Sequence, residues 1–116
     1  MATAKAVTKF IRVQPRKARL AAGLMRGLTV EKAEMQLNYC AMKGGHYLKK
    51  TLKSAVANAE LQLDARRDSL YVIEVRVDEG PRMRRTKSKS RGGRTAVVKR
   101  TSHFTVVVGE KGAREE

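Results

Sequence analysis

Between positions 81 and 109 the chain carries nine Lys and Arg and no Asp or Glu. Inside that stretch, RRTKSKSRGGRT (84–95) holds six positive charges and no large apolar side chain. Such a run repels itself and has nothing to bury, so in isolation it reads as a disordered tail. Its flanks make it an internal loop, with a solvated, disordered loop as the alternative to an ordered ribbon. LYVIEVRVD before it and AVVKRTSHFTVVV after it space their apolar residues by two and favour β-branched and aromatic types, as strands do. Two strands joined by a basic segment make a hairpin. The fold must therefore carry a ribbon whose outer half has no hydrophobic face.

Period two predicts the ribbon's inner faces. Tyr71, Ile73, Val75 and Val77 fall on one side of the first strand, and Glu74, Arg76 and Asp78 on the other. In the second, Val98, Phe104, Val106 and Val108 share a face with Arg100 and Ser102. Residues 70–108 give about 19 per arm, and at roughly 3.3 Å per residue an arm could reach about 60 Å. A domain of this length has a radius of gyration of about 13 Å, so the ribbon is expected to protrude.

The remainder reads as a small α+β body. AVTKFIRV is a strand closed by Pro15. PRKARLAAGLMRG starts a helix at Pro15, with Gly27 as its stop. Thr29 is the expected N-cap of VEKAEMQLNYCAM, with Glu31 in the first turn. Gly44 and Gly45 in MKGGH are expected to break that helix, since their spacing to Lys43 does not suit a phosphate-binding loop. A long helix follows, with Leu48, Leu52, Ala55, Val56, Ala59 and Leu63 in one stripe and Lys49, Lys50, Lys53 and Glu60 off it. The expected architecture is three helices on a small three-stranded antiparallel sheet, plus a long protruding hairpin. Residues 1–109 form a single domain, with a body at about 1–80 and 98–109, a ribbon at about 80–98 and a flexible tail at 110–116.

Charge narrows the function. Twenty-six Lys and Arg against eleven Asp and Glu give +15. Seven bases and no acid precede Glu31, and eight of the eleven acids lie between positions 31 and 79. Two basic blocks flank an electrically ordinary middle. A small domain this basic favours a polyanionic partner, nucleic acid first. No aromatic lies between Tyr71 and Phe104 other than His103, so the ribbon itself lacks stacking platforms. Its arginines and lysines instead suit phosphate and shape recognition, as in RNA.

Other chemistries are poorly supported. Ser102 and His103 are neighbours in a strand and point to opposite faces, so they do not form a nucleophile–base pair. Cys40, His46 and His103 are too few and scattered for a metal site, and no metal or cofactor is expected. The lone Cys40 excludes an internal disulfide and suits a reducing compartment. Glu74, Asp78 and Glu79 are expected to pair with nearby arginines. Apolar runs fall short of the roughly 18 residues of a membrane span. An architectural DNA-binding protein is the main rival, although its arms often carry a Pro or apolar wedge that 84–95 lacks. A small nuclease is the other, without a carboxylate cluster or metal signature.

QPRKARLAAGLMRG, LKSAVANAE, YVIEVRVDEGPRMRR and KRTSHFTVVV, in this order and spacing, resemble the motifs of bacterial large-subunit ribosomal protein uL22. The resemblance spans about residues 4–109. It implies binding to large-subunit rRNA, a role in early subunit assembly, and no enzymatic activity. It implies a body near the outer opening of the peptide exit tunnel and a hairpin that lines the tunnel wall, near where macrolides act. Implied partners are rRNA, neighbouring ribosomal proteins and, transiently, the nascent peptide, with no membrane, no homo-oligomer and a cytoplasmic location on the ribosome. RNA contacts are implied for Arg12, Arg16, Lys17, Arg19, Arg82, Arg84, Arg85, Lys87, Lys89, Arg91, Arg94, Lys99, Arg100 and His103. The tunnel-lining tip is implied at Lys87, Ser88, Lys89, Ser90, Arg91, Gly92 and Gly93. There the sequence departs from the family, with Ser88-Lys89-Ser90 in place of Pro-Arg-Ala.

Overall fold

A computed structural model describes residues 3–88 and 90–110. Lys89 and most of the predicted tail, 111–116, lie outside the described residues. The order is β1 (Thr3–Ile11), α1 (Pro15–Gly23), α2 (Val30–Asn38), α3 (Lys43–Gln62), β2 (Leu70–Glu79), β3 (Met83–Ser88), β4 (Arg94–Lys99) and β5 (Ser102–Glu110). Three strands form an antiparallel sheet in the order β1-β5-β2, and β3 pairs with β4 as a separate two-stranded ribbon. The α+β architecture expected from the sequence is the one observed.

The apolar stripe of α3 lies across β1 and β5, while α1 packs on β2 and both short helices pack on α3. Leu48, Leu52, Ala55, Val56 and Ala59 meet Phe104, Val106 and Val108 in one buried cluster. Phe104 is fully buried and is the one aromatic of the core, which is otherwise Ala, Val, Leu, Ile and Met25. With so few large groups, close approach of backbones replaces bulk. At Gly44 and Gly45 this is visible: a Cβ would come within 3.1 Å of Ala18 Cα and 2.8 Å of Cys40 Sγ. These glycines do not break a helix, as the sequence suggested. They are buried in the first turn of α3, and the chain breaks earlier, around Cys40 and Ala41.

Helix ends follow their residues only in part. Pro15 opens α1 as expected, and Thr29 Oγ1 caps α2 by accepting from Lys32 N at 3.3 Å. But α1 stops at Gly23, not Gly27, and α2 stops at Asn38. The segment after α1 turns to dock on the sheet: Gly27 N donates to Val72 O, and Val72 N donates to Leu28 O.

Strict alternation fails in both edge strands for one reason. Between Val72 and Glu74 the register with β5 slips by one residue. Leu70 and Val72 face the core before the slip, and Val75 and Val77 after it, while Tyr71 and Ile73 are only half-buried. A β-bulge of this kind resets the face of every later side chain, so the predicted single row through Tyr71 and Ile73 is not formed. In β1 the register slips between Thr8 and Ile11, moving the buried positions from Ala4 and Ala6 to Ile11 and Val13.

The arms are not continuous 60 Å strands. They are interrupted at Gly80–Arg82 and at Arg100–Thr101, so their inner halves, β2 and β5, belong to the body sheet. The outer ribbon has six residues per strand, and the whole molecule measures 62 × 25 × 23 Å. Its radius of gyration, 17.2 Å, exceeds the roughly 13 Å of a compact chain of this length because of that projection.

Candidate nucleic-acid interface

The ribbon is built without a core. Its paired residues run from Met83–Lys99 to Ser88–Arg94. Residues directly opposite each other share a face. One face therefore carries Arg85, Lys87 and Lys99, and the other Arg84 and Arg94. Cations project from both sides of the ribbon, and Arg91 sits in the turn at φ 64°. Among the described residues, Arg84, Lys87, Arg91, Arg94, Lys99 and Arg100 make no ion pair. Arg85 donates only to the carbonyl of Arg84, at 2.9 Å.

The two basic blocks, far apart in sequence, meet where the ribbon leaves the body. A cleft of about 220 Å³ is lined by Arg16 and Arg19 of α1 and by Arg82 and Arg100 of the ribbon base, with Glu79 among them. Next to it, sharing Gln14, a second cleft of about 410 Å³ holds Arg12, Lys17 and Lys43. Lys43 is not foreseeable from the sequence, because only folding brings the start of α3 against the start of α1. One carboxylate, Glu79, stands among these seven cations. Glu79 accepts from Arg82 Nε at 2.7 Å, which fixes Arg82 beside the cleft mouth.

Some predicted contact residues have structural work as well. Arg19 Nε donates to Val77 O at 3.2 Å, and Arg26 donates to Val75 O at 3.0 Å. Both occupy carbonyls on the open side of β2 and thereby close that edge of the sheet. The KRTSH segment is a clasp. Thr101 Oγ1 donates to Pro81 O at 2.7 Å, Ser102 Oγ to Val13 O at 2.6 Å, and His103 Nδ1 accepts from Phe10 N at 3.1 Å. Ser102 and His103 thus have separate partners and are not a catalytic pair. Opposite the clasp, Gly80 N donates to Thr101 O, and a Cβ on Gly80 would fall 2.5 Å from Thr101 Oγ1. A side chain there would have to displace Thr101, so the close approach of the two segments favours glycine.

Sequence reasoning missed Asn58 in SAVANAE, whose amide donates to Lys5 O at 2.9 Å and holds β1 against α3. It also missed Phe10, which stands exposed beside His103. Of the three carboxylates near the ribbon, Glu74 pairs with Arg76 and Glu79 with Arg82, while Asp78 has no ion pair among the described residues. The described residues contain no cluster of three or more potential metal ligands, and no helix among them is long and apolar enough to cross a membrane.

The sequence itself has known relatives. The family Ribosomal protein L22p/L17e matches residues 6–109. Large ribosomal subunit protein uL22 of Protochlamydia amoebophila is 64% identical over 108 residues, covering 93% of this chain and 97% of its own length. The uL22 of Chlamydia felis is 64% identical over 92% of this chain and 96% of its own length. That of Chlamydia trachomatis serovar L2 (strain ATCC VR-902B / DSM 19102 / 434/Bu) is 60% identical over 93% and 97%.

The chain belongs to the uL22 family of large-subunit ribosomal proteins. Members of this family are structural components and not enzymes, and they reside with the large subunit in the cytoplasm. In this chain the clasp joins body to hairpin, and the paired clefts form the body's basic face.

Proposed function

We propose that this uL22-family chain binds large-subunit rRNA at two coupled surfaces, the cleft face of the body and both faces of the ribbon, and so holds separate RNA segments together as the subunit assembles. The observation that carries this is the ribbon itself: cations on both faces, no acid, and no core. A two-stranded ribbon of this kind is marginal alone in water. Phosphates on both sides would neutralise it and supply the packing that the chain does not. One-sided binding would leave Arg84 and Arg94, or Arg85, Lys87 and Lys99, uncompensated.

The clasp at Gly80, Thr101, Ser102 and His103 sets the direction in which the ribbon leaves the body, so RNA bound at the clefts determines what the ribbon meets. With the body at the tunnel's outer opening, the turn around Lys87–Gly93 reaches the tunnel wall and touches the nascent peptide. The residues proposed to contact RNA are Arg12, Arg16, Lys17, Lys43, Arg82, Arg84, Arg85, Lys87, Lys89, Arg91, Arg94, Lys99 and Arg100. Arg19 and His103 serve mainly to hold the surfaces in place.

Sedimentation with large subunits through sucrose gradients of rising potassium chloride tests the reading. The chain is expected to travel with the large-subunit peak and to be released as salt increases, because each neutralised phosphate contributes a log–log salt slope of roughly −0.7 to −0.9. Migration at the top of the gradient at every salt concentration would contradict it.

A further inference from the structure

Phe10 is the least comfortable residue of the body. It is 63% exposed. Its φ is 59°, in the left-handed region. It lies at the β1 bulge, between the positions where the register with β5 slips. A left-handed residue at a bulge is a place that glycine fills without strain, and a bulky side chain there is an outlier. Such strain persists only where the surroundings impose it, and it concentrates at functional positions.

The surroundings do impose it. Phe10 N donates to His103 Nδ1. The two rings meet edge to face, with centroids 5.0 Å apart and planes at 87°. His103 is held in turn by the clasp, since its ring packs within 3.2 Å of where a Gly80 Cβ would lie. The Phe10 ring is therefore fixed from behind by the ribbon's own anchor while its outer side faces solvent. Its neighbours Lys9 and Arg12 are exposed cations.

We infer that Phe10, backed by His103, is a stacking platform for an unpaired nucleobase of the large-subunit rRNA. This rests on the rRNA-binding reading above and extends it from phosphate contact to base contact. A single exposed ring with cations at positions 9 and 12 of the same segment offers a protein partner little apolar area and two charges to desolvate. A nucleotide satisfies all three groups, with its base on the ring and its phosphates beside Lys9 and Arg12. The ribbon's lack of aromatics is thus made good at its root.

The test uses the full chain and in-vitro transcribed large-subunit rRNA, with binding measured across a potassium chloride series. Phe10→Ala and Phe10→Leu are expected to weaken binding roughly tenfold, since stacking contributes about that factor per base. The salt slope stays unchanged because the set of neutralised phosphates is the same. Phe10→Trp retains affinity, and its emission reports directly, as the sequence contains no other Trp: quenching on RNA addition is expected. Phe10→Gly separates ligand contact from folding. Glycine relieves the left-handed strain, so the thermal midpoint holds or rises while binding falls as for Phe10→Ala. Wild-type affinity in Phe10→Ala and Phe10→Leu would overturn the inference alone. So would Phe10→Trp emission that responds to other large-subunit proteins and not to RNA. Failure of the wild-type chain to bind rRNA would overturn the broader reading, and this one with it.

Discussion

The body and the ribbon are made of the same chain and obey opposite rules. In the body, Phe104, Val106 and Val108 are fully buried, and hydroxyls such as Ser102 find buried carbonyl partners. In the ribbon, the side chains from Arg84 to Ser88 are exposed, and the ladder is backed only by half-buried side chains such as Met83 and Val97. The body's shape is determined within the chain. The ribbon is determined at its base, by the clasp, and its outer surface is left for something else to complete. A mutation should therefore act on folding if it touches the body, on direction if it touches the clasp, and on binding if it touches the ribbon.

The strongest way to break this division is at the core. Phe104→Ala should cost about 3–5 kcal/mol, because the fully buried ring has no neighbour able to fill its place. Urea or thermal unfolding measures it, and a loss below about 1 kcal/mol would mean that the core is loosely packed.

The clasp comes next. Gly80→Ala places a methyl 2.5 Å from Thr101 Oγ1 and should destabilise by about 1–3 kcal/mol while altering the angle of the ribbon. Ser102→Ala removes the donor to the Val13 carbonyl in a buried setting and should cost about 1–3 kcal/mol. If both variants melt like the wild type, the junction of body and ribbon is held by something other than these contacts. Changes in amide shifts along β3 and β4 would separate reorientation from simple destabilisation.

The smallest effect sharpens the comparison from the other side. Glu79→Gln removes the partner of Arg82 in a half-exposed pair, for which only a few tenths of a kcal/mol are expected. Rather than losing affinity for RNA, this variant should gain slightly, because the one carboxylate in the arginine cleft is gone. An RNA titration at low salt detects the sign.

The sequence made the ribbon legible through what it lacks. Acid-free charge between two period-two segments favoured a projecting hairpin over a solvated, disordered loop. The α3 stripe was legible through its spacing, and Thr29 through its capping chemistry. Three things were not. The bulges in β1 and β2 shift the burial pattern by one residue, and a shift is invisible when Val72, Ile73 and Val75 are all apolar. Gly44 and Gly45 read as breakers because their local preference is to break helices. Their actual role, admitting Ala18 and Cys40, depends on neighbours brought close by folding. The convergence of Arg16 and Arg19 with Arg82 and Arg100 is likewise a product of tertiary structure, although each member is recognisable as a basic surface residue in the sequence. His103 reads as an RNA contact; that its Nδ1 also accepts from Phe10 N was not legible, since strand alternation could not show that Phe10 would lie against it.

The division of labour is tested most directly by replacing Arg84, Arg85, Lys87, Lys89, Arg91 and Arg94 together with Ala and measuring rRNA affinity against potassium chloride. If the ribbon serves binding alone, the salt slope becomes shallower by roughly 0.7–0.9 for each phosphate that is no longer neutralised, and the thermal midpoint of the free chain stays unchanged. An unchanged slope, or a midpoint that collapses with the substitutions, would contradict it.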